Sequence, residues 1–330
     1  MTQYLAASDR YEQLPYNHVG RSGLRLAPLA LGLWHNFGDI DALSNQRALL
    51  RYAFDHGITH FDMANNYGPS AGSAETNFGQ LYKEDFKPYR DELVLSSKAG
   101  FYMWPGPYGE YGSRKYIIAS ADQSLRRTGL DYFDIFYSHR YDPNTPLEET
   151  AEALDHLVRQ GKALYIGISN YGVEETAAIT KIFRELKTPY IIHQDAYNMF
   201  HQEPATSGLF DLLEKEGTGA IVFSPLAQGQ LTGRYLNGIP DDSRAVREGD
   251  WMQKEVKAHL PKIQQLNAIA QQRRQSLAEM ALAWDLQQPA VMTVLIGASK
   301  VSQLEDNLKV LDHLDFTEDE LKAIDNVLKA

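Results

Sequence analysis

Four side chains in this 330-residue chain stand where short apolar runs stop, and their types suit proton transfer to an oxygen. Asp62 falls at the end of one run, Lys98 at the end of the next and His139 at the end of a third; Tyr67 follows Asp62 by five residues. A carboxylate and an ammonium brought together at a partly buried rim hold each other ionised. A phenol has an ordinary pKa of about 10, too high for efficient proton transfer near neutrality. A fixed ammonium beside Tyr67 would favour the phenolate and lower that value. His139 would add a hydrogen bond to an oxygen at the same place. Acid, tuner, charge partner and orienter together describe protonation of a carbonyl oxygen while something else attacks its carbon. The Asp62–Lys98 spacing serves equally well for a buried ion pair that only fixes the fold.

The elements that must position these groups repeat. Strand-like runs occur at Pro28–Leu33, Thr59–Ala64, Leu93–Lys98, Phe133–His139, Ala163–Ser169, Tyr190–Gln194, Ala220–Ser224 and Val291–Ile296. A short hairpin precedes them, Tyr16–Val19 and Leu24–Ala27 about a turn at Arg21-Ser22-Gly23. Between the runs, segments such as Leu43–His56, Ser113–Thr128, Pro146–Gln160 and Val173–Leu186 carry apolar residues at three- and four-residue steps, the helical period. Gly57, Gly129, Gly161 and Gly217 follow such segments, where a left-handed residue closes a helix without steric cost. Thr317-Glu318-Asp319-Glu320 fits a capping box opening a last helix.

Strands alternating with helices imply parallel pairing, since each return crossover needs a helix's length. Eight units in this length predict an α/β fold, a (β/α)8 TIM barrel with an N-terminal hairpin, as one domain over residues 1–330. A doubly wound sheet would place G-x-G-x-x-G after its first strand; here that strand ends Leu31-Gly32-Leu33-Trp34-His35. Residues 230–261, after the seventh barrel strand, read as a long connection holding Arg234, Arg244 and Arg247, and such connections are usually functional or disordered. In a barrel the active site lies at the C-terminal rim of the strands. Seven of the eight runs end in hydrogen-bonding or ionisable groups, which jointly read as a lined pocket.

Composition narrows the function class. Thirty-two Lys plus Arg against forty-three Asp plus Glu gives a net charge of −11, which argues against nucleic acid or anionic membrane as partner. There is no cysteine, so disulfides, thiolate catalysis and Cys-based zinc sites are excluded, and a cytoplasmic location is expected. No window of transmembrane length is apolar, and the ten histidines form no obvious metal-ligand set, so no metal is expected. A Schiff-base aldolase using Lys98 is a rival, but a partnered ammonium is a poor nucleophile.

Gly57-Ile58-Thr59-His60-Phe61-Asp62-Met63-Ala64-Asn65-Asn66-Tyr67-Gly68 resembles the aldo-keto reductase signature, and Lys98 and His139 fit the rest of that family's tetrad. Gly32–Gly38, Met103–Gly109 and Gly238–Arg244 look like the branch that holds bacterial L-glyceraldehyde 3-phosphate reductases and the β subunits of voltage-gated potassium channels. The resemblance implies NADPH-dependent reduction of small aldehydes, among them L-glyceraldehyde 3-phosphate or methylglyoxal, with Tyr67 as general acid. It implies that Ser169, Asn170 and Gln194 hold the nicotinamide carboxamide and that Phe223 stacks on the ring. Ser224, Leu226, Gln228, Gly229, Arg234 and Arg244 match the pyrophosphate-binding region. Gly297, Ser299, Lys300, Gln303 and Asn307 match the adenosine-phosphate region, with Trp34 and Asp62 also near the cofactor. Arg234 stands where relatives often have Lys, and Asp242 where channel subunits have an aromatic. A homo-oligomer, a tetramer or larger, is implied too. The alternative within the same resemblance is a cofactor-sensing regulatory subunit with little turnover; His139 stands against it, because channel subunits commonly carry Asn there. For a substrate phosphate, Arg140, Arg114 and Lys115 are candidates.

Overall fold

The eight runs become eight parallel strands of one closed barrel. In the computed structural model, which describes residues 4–330, a hairpin of β1 (Asn17–His18) and β2 (Arg25–Leu26) comes first. The barrel strands are β3 (Leu29–Gly32), β4 (His60–Asp62), β5 (Val94–Ala99), β6 (Phe133–Ser138), β7 (Ala163–Ser169), β8 (Tyr190–Ala196), β9 (Gly219–Phe223) and β10 (Val291–Ile296). Each pairs with the next in sequence, and β10 closes on β3.

The helices fill the crossovers. They are α1 (Leu43–Asp55), α2 (Ser73–Leu81), α3 (Arg114–Thr128), α4 (Leu147–Arg159), α5 (Val173–Leu186), α6 (Glu203–Thr206), α7 (Leu209–Glu216), α8 (Arg244–Glu248), α9 (Asp250–Gln272), α10 (Leu277–Asp285), α11 (Val301–Leu308) and α12 (Glu318–Lys329). Their ends follow local chemistry. Ser113 accepts a hydrogen bond from the Tyr116 amide at the start of α3, and Gly129, at φ 68°, closes the helix. Thr317 and Glu320 form the expected capping box of α12. Among the described residues, no helix is long and apolar enough to cross a membrane.

Period-two alternation sorts the barrel. Ala30, Val94, Ile135, Tyr137, Ile192, Ile221 and Leu295 fill its interior together with Val19 and Leu26 of the hairpin region, which therefore plugs the end where the strands begin. Leu29, Leu31, Phe61, Leu95, Phe136, Ile166, Val222 and Val294 face the helices in the main core. The interior turns polar toward the strand C-termini, where His60, Asp62, Ser96, Lys98, Ser169 and Gln194 are all buried.

One expectation needs correcting. Residues 230–261 are not one long connection: irregular chain gives way to the short α8 and then to α9, which starts at Asp250. Pro261, which obscures the helical pattern, lies inside α9, where it removes one backbone donor without ending the helix.

Candidate active site

Asp62 and Ser96 are register partners on β4 and β5, and Lys98 lies two residues farther along the same face of β5. Lys98 is completely buried, and its ammonium has three donors to satisfy. All three find oxygen: Nζ lies 2.5 Å from Asp62 Oδ2, 2.8 Å from the Met63 carbonyl and 3.3 Å from the Tyr67 hydroxyl. The other Asp62 oxygen accepts from Ser96 Oγ at 2.7 Å and from Gln194 Nε2 at 3.2 Å. Burial pulls the Lys98 pKa down while the Asp62 carboxylate pushes it back up.

The phenol does not behave as the sequence suggests. Burial, reinforced by the negative charge of Asp62, holds the Tyr67 pKa well above its ordinary 10. The lowering expected from Lys98 does not prevail: burial is the largest influence on the phenol, and the ammonium is already paired with Asp62. Tyr67 is therefore a protonated donor with a cation waiting 3.3 Å from its oxygen.

His139 follows β6, its ring edge-on to that of Tyr67 with centroids 5.8 Å apart. Burial lowers its pKa well below 6.5, and the Lys98 and Arg140 charges act in the same direction, so the imidazole is neutral. Its Nδ1 is buried and has no partner. The backbone of residue 100 packs directly on it: a Cβ there would sit 2.8 Å from His139 Cβ, which only glycine avoids. Asp62, Tyr67, Lys98 and His139 are thus brought together.

Of the residues expected at the nicotinamide, Asn170 and Gln194 hydrogen-bond to the same cluster, and Ser169 to Asn170. Asn170 follows β7 in the left-handed region, at φ 56°. Its Nδ2 donates to the His139 carbonyl at 3.0 Å and to Ser169 Oγ at 2.9 Å, leaving its side-chain oxygen free to accept. Phe223 ends β9, half-buried. Beyond it the chain turns through left-handed Ser224 (φ 56°), Gln228 (φ 58°) and Gly229 (φ 94°), with Leu226 among them. For Ser and Gln that conformation is costly and gathers at functional sites. Gln228 Oε1 is buried without a partner.

Farther out, Arg244 Nη2 lies 3.1 Å from His35 Nε2, which ties the loop after β9 to the chain after β3. Arg234 pairs with Asp242 at 2.9 Å, so the two residues that depart from the relatives' pattern engage each other. After β10, Gly297 has open space around its Cα, and the Ser299 amide and hydroxyl are both bonded to Gln303 Oε1. Lys300 is the N-cap residue of α11, and Asn307 is buried on that helix.

Of the aromatic residues at the mouth, Trp34 stacks on Tyr67 at 6.1 Å, whereas Trp104 packs on Tyr116. Tyr102 and Tyr108 are exposed. The candidate phosphate ligands are otherwise engaged. Arg114 pairs with Glu152, Arg140 with Glu110 and the Gly100 carbonyl, and Lys115 lies over the Tyr108 ring.

Sequence reasoning missed His60 and Ser96. Each lies two residues before a singled-out position, Asp62 and Lys98, and so shares its barrel face; that period was the signal available.

Compared with known proteins, residues 28–329 match the model of the Aldo/keto reductase family. The chain is 57% identical over 327 residues to L-glyceraldehyde 3-phosphate reductase of Escherichia coli K12, covering 98% of this chain and 94% of that one. It is 35% identical over 304 residues to a probable voltage-gated potassium channel subunit beta of Arabidopsis thaliana, covering 91% and 92%. A putative subunit of the same kind from Schizosaccharomyces pombe is 36% identical over 330 residues, covering 96% and 94%.

Proposed function

This chain belongs to the aldo/keto reductase family, and from that premise we propose that it reduces small aldehydes to alcohols with NADPH, L-glyceraldehyde 3-phosphate first among them. The observation that carries the reading is the protonated Tyr67 hydroxyl 3.3 Å from a buried ammonium, beside a neutral imidazole.

The residues present fit a nicotinamide nucleotide. A carboxamide needs acceptors for its NH2 and a donor for its oxygen. Asn170 and Gln194 spend their NH2 groups on protein oxygens and keep their own oxygens to accept, while Ser169 supplies a hydroxyl. The orphaned Gln228 oxygen and the open backbone at Gly297 suit a further polar ligand. Arg244 and Lys300 add positive charge to a chain of net charge −11, which favours the nucleotide carrying the extra phosphate.

A reduced nicotinamide, when bound, supplies the hydride. His139, neutral, gives the carbonyl oxygen a hydrogen bond without competing as an acid. As electron density moves onto that oxygen, Tyr67 transfers its proton; an alkoxide is a far stronger base than a phenolate, so a raised phenol pKa does not obstruct the step. The phenolate left behind faces the Lys98 ammonium. Asp62 keeps that ammonium in place, and Trp34 shields the phenol from water.

A panel of small aldehydes, L-glyceraldehyde 3-phosphate and methylglyoxal included, assayed separately with NADPH and NADH by loss of absorbance, tests this. Turnover of the phosphorylated triose with NADPH, faster than with NADH, is expected. Tight NADPH binding with no turnover of any aldehyde would favour a regulatory role instead.

A further inference from the structure

The Asp62 carboxylate holds Lys98 with one oxygen and takes two hydrogen bonds on the other, one from Gln194 and one from Ser96. Gln194 already has a part in the nucleotide site. Ser96 and His60 behind it have none. Both are buried inside the barrel, and His60 Nε2 lies 2.9 Å from Ser96 Oγ.

The proton directions in this chain are determined. An ionised carboxylate only accepts, so the single proton of Ser96 must point to Asp62 Oδ1. Ser96 then has only lone pairs to offer His60, whose Nε2 must carry the ring proton and donate. That leaves Nδ1 of His60 bare, and this atom is indeed buried without a partner. Neutrality of the ring agrees with its pKa, pushed down to about 4 by burial. Donors thus reach Asp62 from both sides, His60 through Ser96 on one oxygen and Lys98 on the other. Without the Ser96 hydroxyl, Oδ1 keeps only the longer bond from Gln194, and a carboxylate held so loosely on that side can turn about its terminal torsion, which is soft. Turning would carry Oδ2 away from Lys98 and free the ammonium from its aim at the Tyr67 hydroxyl.

We propose that Ser96, its hydroxyl aimed by His60, is a positioning residue for the reduction: it locks the Asp62 carboxylate and thereby holds Lys98 against Tyr67. The proposal rests on the assignment of Tyr67 as proton donor. Neither Ser96 nor His60 has to touch aldehyde or nucleotide to act in this way.

The test uses the full-length chain and four proteins: wild type, Ser96→Ala, His60→Leu and Tyr67→Phe. For each, kcat, the aldehyde KM, the NADPH dissociation constant by fluorescence and the Tm are measured. Ser96→Ala is expected to lower kcat roughly tenfold to a hundredfold, the range that misplaced catalytic groups produce, with KM and NADPH affinity nearly unchanged. His60→Leu removes the donor that orients Ser96 and is expected to lower kcat in the same sense by less; it serves alone should Ser96→Ala not fold. A lower Tm with wild-type kcat in both variants would make the pair merely structural and overturn the proposal. Tyr67→Phe separates the two levels. If it abolishes turnover while Ser96→Ala and His60→Leu both keep wild-type kcat, only the positioning role fails; if it too turns over normally, the reading of the reaction fails and the proposal falls with it.

Discussion

The Asp62–Lys98 pair combines two roles that the sequence left level, a structural ion pair and a piece of chemistry, and its geometry allows them to be separated. Removing one partner of a buried pair strands the other charge, which costs about 3–5 kcal/mol, whereas replacing both is often neutral. Lys98→Met should therefore lower the unfolding free energy by about that much, because it leaves Asp62 ionised and unpaired. The double variant Asp62→Asn/Lys98→Met should recover most of the loss, since an asparagine can still accept from Ser96. Both should be nearly inactive, since neither has a cation for the developing phenolate. Denaturant titration beside a turnover assay checks this. A double variant less stable than Lys98→Met would contradict the ion-pair account.

At the scale of the elements, the strands and most helix ends were legible because their signals are local. The run Ala163–Ser169 and the segment Val173–Leu186 match β7 and α5 residue for residue, and Gly57, Gly129, Gly161 and Gly217 all take positive φ. The start of α9 was not legible, because Pro261 mimics a stop while packing of Met252, Val256 and Ile263 decides the matter. The clustering of Asp62, Lys98 and Tyr67 followed from strand order. The sign of the phenol's pKa shift did not, since it is set first by how deeply Tyr67 is buried and then by the charge of Asp62. The outward face of β8 gives an element-level test. His193 is buried against Thr176 of α5, and burial lowers its pKa to about 3. As pH falls below the unfolded value of about 6.5, the unfolded chain takes up a proton that the folded chain refuses, so stability drops. The contribution is about 1.4 kcal/mol per pH unit. His193→Gln should abolish that part of the slope, so wild type should lose ground relative to the variant between about pH 6 and about pH 4. Parallel stability curves would contradict the buried neutral imidazole.

For the molecule as a whole, the barrel is asymmetric end to end. Val19 and Leu26 of the hairpin region pack into the apolar end, and the polar interior lies toward the C-terminal rim. At that rim Asp62, Lys98 and His139, carried by β4, β5 and the chain after β6, gather around one phenol. The central claim is that Tyr67 delivers the proton, and single-turnover mixing of NADPH-loaded protein with L-glyceraldehyde 3-phosphate, followed by nicotinamide fluorescence, tests it most directly. Wild-type protein should oxidise its NADPH, and Tyr67→Phe should bind NADPH as tightly yet react about 10²–10⁴ times more slowly. Equal rates in the two proteins would contradict the account.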